Sequence, residues 1–189
     1  MDSADVLRFG LDVLGRVVAS APDSGWDAPT PCEGWTARHL AGHLVQVLSM
    51  SEALCGGNDF SWAGAGDPVE VAGKDPAGTV AAAIATVKDA LPNVDLEAVQ
   101  ETPMGEMPIG RRLSFPAMDT HLHSWDLSRA WGRSLDMDPE VIAFVRAALE
   151  GMPDTMLRSP QVFGPVVEPP ADATPTEELM AFLGRDPRA

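Results

Sequence analysis

Cysteine is scarce in this chain: 189 residues contain two, Cys32 and Cys55. Two thiols cannot build a disulfide scaffold or a cysteine-only zinc site, and their presence fits a reducing compartment. Basic residues are also scarce, 13 Lys and Arg against 28 Asp and Glu, for a formal net charge of −15. Nucleic-acid backbones and anionic membranes require clustered cations, so neither is an expected partner. Long apolar runs are missing. The stretch VAAAIATV at 80–87 is far shorter than the roughly 20 residues that span a bilayer. The opening MDSADVLRFGLDVLGR starts acidic and lacks the basic segment and apolar stretch of a secretory leader. Apolar types still make up 45% of the chain, a globular value that opposes disorder. The expectation is therefore a soluble, cytoplasmic protein. At 189 residues, against about 150 per domain, it reads as one domain over 1–189, large enough to close a core without disulfides.

What is present is helical periodicity. Leu7, Leu11, Leu14 and Val18 recur at helical spacing behind Ser3, which reads as an N-cap. A polar loop then leads to Thr36, the expected cap of a second helix running to about Gly56, with Leu40, Leu44, Val47 and Leu54 as its buried stripe. The Gly- and Asp-rich stretch from Gly56 to Lys74 reads as a long loop. Asp75-Pro76 places a cap and a first-turn proline at the start of a third helix. ETPMGEMPIG is turn-rich, with room for a short extended pair. A fourth helix is expected over about 114–131. Ser114 capping it would accommodate Pro116, whereas an earlier start would put Pro116 in the interior, where it should kink the helix. Asp138-Pro139-Glu140 opens a fifth helix. After an extended, proline-rich stretch, Thr174-Pro175-Thr176-Glu177 matches a capping box before a short last helix that Gly184 ends. The fold class is thus all-α: a four-helix bundle, an additional helix, and an extended C-terminal tail (155–189) ordered on the bundle and ending in a short helix.

The four histidines lie two on each of two helices. His43 shares the inward line of the second helix with Val47 and Leu54, while His39 lies one turn earlier, nearer solvent. On the fourth helix Asp119 and His123 are four residues apart and share a face. His121, two residues from each, points the other way. His43, Asp119 and His123 could therefore converge in the bundle core. Two imidazoles and a carboxylate would supply three ligands to a divalent ion and leave positions open for water or substrate. The alternative is a core histidine satisfied by Asp119 with no ion.

Pro31-Cys32-Glu33-Gly34-Trp35-Thr36, followed by His39-Leu40-Ala41-Gly42-His43-Leu44, resembles the TPCxGWTxxxLxxHL element of the DinB-like metalloproteins. The branch in question contains mycothiol-dependent maleylpyruvate isomerase. Asp119 through Ala130 is similar to that branch's DxxxHxWDLxRAxG helix. The ending from Phe163-Gly164-Pro165 through Leu183-Gly184-Arg185-Asp186-Pro187 resembles that of a single-domain subgroup. The resemblance implies a DinB-like four-helix bundle with His43, Asp119 and His123 as metal ligands. It implies a zinc ion, with nickel, iron and manganese as alternatives, and mycothiol as the thiol, or bacillithiol or glutathione as in relatives. The isomerase has glutamate where this chain has Asp119, whose shorter side chain must approach the ion more closely. The isomerase also carries an additional C-terminal domain for which 189 residues leave no room, so efficient isomerisation of maleylpyruvate is not expected here.

Other residues carry two readings. Asp126 could orient His123 from behind or pair with Arg129 on the helix face. Trp125 and Trp35 could wall the pocket or belong to the core. Cys32 could be a nucleophile near a helix start or a small buried residue. No general acid or base is assigned. The expected function is an enzyme that activates a low-molecular-weight thiol at a divalent metal, for S-transfer or isomerisation of an electrophilic small molecule. The alternatives are a metal-binding module without turnover and a metal-dependent hydrolase. A homodimer is compatible with all three.

Overall fold

Asp2 opens the first helix, α1 (Ser3–Ala19), its carboxylate accepting from the Asp5 backbone N at 2.8 Å. Ser3 is therefore not the cap: a charged acceptor one residue earlier takes the exposed N–H, reinforced by the helix dipole. In the computed structural model, which describes residues 1–103, 105–158 and 162–188, α2 (Ala37–Cys55) starts after Thr36 as expected. The stretch after it is not a plain loop. It contains a 3-10 turn at Trp62–Gly64 and a short helix, α3 (Pro68–Ala72), capped by Asp67. Helix α4 (Pro76–Ala90) is capped by Asp75. An antiparallel hairpin, β1 (Val99–Thr102) with β2 (Gly105–Pro108), follows.

Helix α5 spans Ile109–Ala130, so it starts five residues before the sequence-based expectation and holds Pro116 in its interior. The physical reason is nonlocal. The segment preceding β1 supplies acceptors for the first turn, with Ile109 N bonded to Ala98 O at 2.8 Å and Gly110 N to Leu96 O at 2.9 Å. No serine cap is then needed. The remaining helices are α6 (Pro139–Leu149), the unexpected single turn α7 (Asp154–Leu157), and α8 (Pro175–Phe182). The Thr174–Glu177 capping box opens α8, and Gly184 at φ +83° follows its end. The expected tail over 155–189 is described except for residues 159–161 and 189. Among the described residues no helix is long and apolar enough to cross a membrane.

Helices α1, α2, α4 and α5 enclose one apolar core, with Leu7, Leu11, Leu44, Val80 and Leu113 among its buried members. On its other side α5 presents Met118, Leu122 and Trp125 to a second cluster built with Val145 of α6 and Leu179 and Met180 of α8. Each fully buried leucine contributes about 1.5–3 kcal/mol, so α5 is fixed from both sides. The helix that carries Asp119 and His123 is thus packed into both apolar clusters. Helix α3 is seated directly on α2 at Gly42, beside His43: a Cβ there would lie 1.7 Å from the Pro68 carbonyl oxygen.

Gly42→Ala should therefore displace α3 and cost about 1–3 kcal/mol, measured as a lower thermal midpoint. Gly57→Ala is the comparison for backbone strain without contact, since Gly57 has φ +69° and nothing within 4 Å of its would-be Cβ.

Candidate metal centre

His43 projects from α2 and meets Asp119 and His123 of α5. His43 Nε2 lies 2.9 Å from Asp119 Oδ2, and His123 Nε2 lies 3.4 Å from Asp119 Oδ1. The two imidazoles are perpendicular, their centroids 5.0 Å apart. One ligand atom from each of the three residues falls within 4.8 Å of the others. The His123 side chain is 8% exposed, while those of His43 and Asp119 are 18% and 29% exposed. The cluster thus has a closed back at His123 and an open face at His43 and Asp119.

Behind His123 lies Asp126, 0% exposed, with Oδ2 2.8 Å from His123 Nδ1. A fully buried carboxylate requires compensation. Arg185 supplies it from beyond α8, its guanidinium 3.2 Å from Oδ2 and 3.4 Å from Oδ1 of Asp126. The Cys32 thiol donates to the same Oδ2 at 3.2 Å, and Arg185 also lies 3.7 Å from the Cys32 sulfur. Of the two readings of Asp126, the structure displays the contact with His123, and the cation beside the carboxylate is Arg185.

This arrangement decides which nitrogen of His123 can act as a ligand. Asp126 accepts the Nδ1–H, so Nε2 faces the Asp119 carboxylate. Two lone pairs cannot face each other at that distance without a cation between them, either a proton on Nε2 or a metal ion. With no ion, burial disfavours charge on His123, but Asp119 and Asp126 overcome it and hold the imidazole protonated well above its ordinary range. Asp119 is also buried against its charge, and His123 and His43 together bring its pKa below the usual carboxylate range. Asp126 is lowered against burial by Arg185 and His123. Asp119, half-buried and facing His123 Nε2 and His43 Nε2, is the carboxylate left for a small cation, since Arg185 already compensates Asp126.

Of the other singled-out residues, His39, His121, Trp125 and Cys55 lie apart from this cluster. His39 is half-buried in the α2 capping box, its Nδ1 accepting from Thr36 N. His121 faces away as expected and donates to Val6 O of α1 at 3.0 Å, where burial lowers its proton affinity. Trp125 belongs to the second apolar cluster. Trp35 does line the site, with its ring 5.2 Å from that of His43 and 6.4 Å from that of His123. Cys55 ends α2, and burial, with Glu52 adding to it, pushes its thiol up to about 11. It is therefore a poor nucleophile. Sequence reasoning missed Arg185 and Trp62. Arg185 is remote in sequence, and Trp62 lies in a segment without periodicity; its ring stacks on His43 at 5.9 Å.

Arg185→Ala should strand the buried Asp126 carboxylate and destabilise the fold by about 3–5 kcal/mol. Adding Asp126→Asn should recover part of that loss, because it removes the uncompensated charge. A double-mutant cycle from urea unfolding measures the coupling. Additive effects would show that the pair contributes nothing to stability.

The family described as mycothiol maleylpyruvate isomerase N-terminal domain matches residues 7–128, a span that includes His43, Asp119, His123 and Asp126 but not Arg185. The uncharacterized protein Rv0738 of Mycobacterium tuberculosis is 31% identical over 194 residues, covering 100% of both chains. Rv0036c of the same organism, also uncharacterized, is 29% identical over 153 residues, covering 76% of this chain and 58% of its own length. The crystal structure of the mycothiol-dependent maleylpyruvate isomerase superposes with a TM-score of 0.60 at 14% identity, over 78% of this chain and 66% of that one. A histidine-to-alanine mutant of that enzyme gives 0.58 over the same shares. The present chain thus spans about two thirds of the isomerase's length, and at this identity the likeness is one of fold. On the family match, the chain belongs to the mycothiol maleylpyruvate isomerase N-terminal domain family.

Proposed function

We propose that the protein is an enzyme that binds one divalent ion, most simply zinc, through His43, Asp119 and His123, and uses it to activate a small thiol. The observation that carries this reading is the one-sided opening of the cluster. Three donors converge, the back is sealed by Asp126 and Arg185, and the front is accessible beside His43 and Asp119. Three protein ligands with a free position is the pattern of catalytic rather than structural zinc. A divalent ion there would coordinate a thiol sulfur, lower its pKa and hold it as thiolate at neutral pH.

The chain's own residues have separable parts in this scheme. Asp126 keeps the His123 ring in the orientation and tautomer that direct Nε2 forward. Trp35, beside both histidines, excludes water from one flank. A thiolate held there, its proton lost to solvent, could attack an electrophilic carbon. In S-transfer its lone pair would form the new C–S bond while the leaving group departed with the old bonding pair, and in isomerisation the sulfur would add and leave again. Family membership points to mycothiol as the thiol. The net charge of −15 works against a dianionic electrophile such as maleylpyruvate.

Purified protein should hold about one divalent ion per chain, measured by elemental analysis. His43→Ala and His123→Ala should lose it, while His121→Ala, altered on the opposite face, should keep it. Asp126→Asn should weaken affinity by about 10–100-fold. Cobalt-loaded protein should develop a sulfur-to-cobalt charge-transfer band on addition of a thiol. A folded protein that takes up no zinc, nickel or cobalt would refute the metal reading. Metal uptake without a thiol response would leave hydrolysis, tested with activated esters and amides, or passive binding.

A further inference from the structure

Trp62 stands at the open face as a large apolar side chain that is 50% exposed. Its indole lies nearly parallel to the His43 imidazole, at an interplanar angle of 13° and a centroid separation of 5.9 Å. Parallel rings at that separation are offset, so the indole covers part of the imidazole and extends past it. Phe60 meets the indole edge-on at 5.1 Å. His43 is thus flanked by Trp35 and by the Phe60–Trp62 pair, while half of the Trp62 surface contacts no protein.

The segment carrying these aromatics is tied down at both ends. The buried Gln46 side chain, one turn after His43, donates to Ala65 O at 3.2 Å and Gly66 O at 2.9 Å. Asp59 pairs with Arg112 at 3.4 Å, and Arg112 also bonds Gln100 of the hairpin. Beyond Gly66, Pro68 abuts Gly42. Chain ordering that fixes an indole half in the open, against a candidate metal ligand, gains only part of what full burial of that indole would give. It does lower the cost of binding a partner there, because the surface is already in place.

We propose that Trp62 is a specificity-determining platform: the organic body of a thiol held at the metal lies on it, and it selects thiols bearing a ring with an apolar face. The proposal rests on the thiol reading above and adds a ligand class to it. A sulfur bound at the open face of His43, Asp119 and His123 directs the rest of its molecule outward past His43, where Trp62 is the first large surface available. Stacking there contributes only for a ring. A short hydroxyalkyl thiol reaches the metal without it.

The test uses full-length, cobalt-loaded protein titrated separately with benzyl mercaptan and 2-mercaptoethanol, following the sulfur-to-cobalt band. Trp62→Ala should weaken benzyl mercaptan by about fivefold to tenfold, the size of one aromatic stack. It should change 2-mercaptoethanol by less than about twofold, since that thiol's affinity comes from coordination alone. Trp62→Phe should restore most of the difference. Equal changes for both thiols, or none for either, would overturn the platform. Loss of cobalt on Trp62→Ala would also overturn it, by making Trp62 a support for His43. Failure of wild-type cobalt protein to respond to any thiol would instead refute the thiol reading itself.

Discussion

The site depends on one imidazole held between two carboxylates. His123 has Asp126 at Nδ1 and Asp119 at Nε2, and both carboxylates are brought to the ring by their own helix, three residues after it and four before it. In so little water, this arrangement is stable only if the negative charges are answered. Arg185 answers one from behind. The other is shared with His43 at the front, where a proton on His123 does in the ion-free protein what a divalent ion would do in its place. Removing Asp126 would release the bond at Nδ1 that makes His123 present Nε2.

Holding that geometry requires a rigid α5, and the packing provides one. The helix is covered on one side by α1 and α2 and on the other by the apolar cluster it shares with α6 and α8. The C-terminal segment thus has two connected roles. Helix α8 completes the second apolar cluster, and the turn after it, through Gly184 at φ +83°, delivers Arg185 to Asp126. Gly184 is constrained twice, since a Cβ there would also lie 2.7 Å from Gly164. Fold stability and site electrostatics therefore share the same few residues at the end of the chain.

Much of this was legible in the sequence because it is local. Asp75-Pro76, Asp138-Pro139 and the Thr174 box announce helix starts through contacts within one turn. The convergence of Asp119 with His123, and the divergence of His121, follow from helical spacing alone. What escaped depends on distant partners. The early start of α5 depends on carbonyls of Leu96 and Ala98. The cation of Asp126 is 59 residues downstream, and no local pattern links an arginine near the end of the chain to an aspartate in the middle. Helix α3 is a different case: Asp67-Pro68 carries the same signature as Asp75-Pro76 and could have been recognised, had its surrounding Gly-rich stretch not been read as a loop. Trp62 had no such signal, since its position over His43 comes from tethers to Gln46 and Arg112.

The central claim is that His123 presents Nε2, not Nδ1, to a divalent ion shared with His43 and Asp119. An anomalous-scattering map from a crystal soaked in zinc or cobalt tests it most directly. The ion should lie about 2.0–2.2 Å from Nε2 of both histidines and from an Asp119 oxygen, with Asp126 still bonded to His123 Nδ1 and Arg185 still in place. An ion found instead among Cys32, Asp126 and His123 Nδ1, with Arg185 expelled, would contradict it, because those three residues form a second donor set among the described residues.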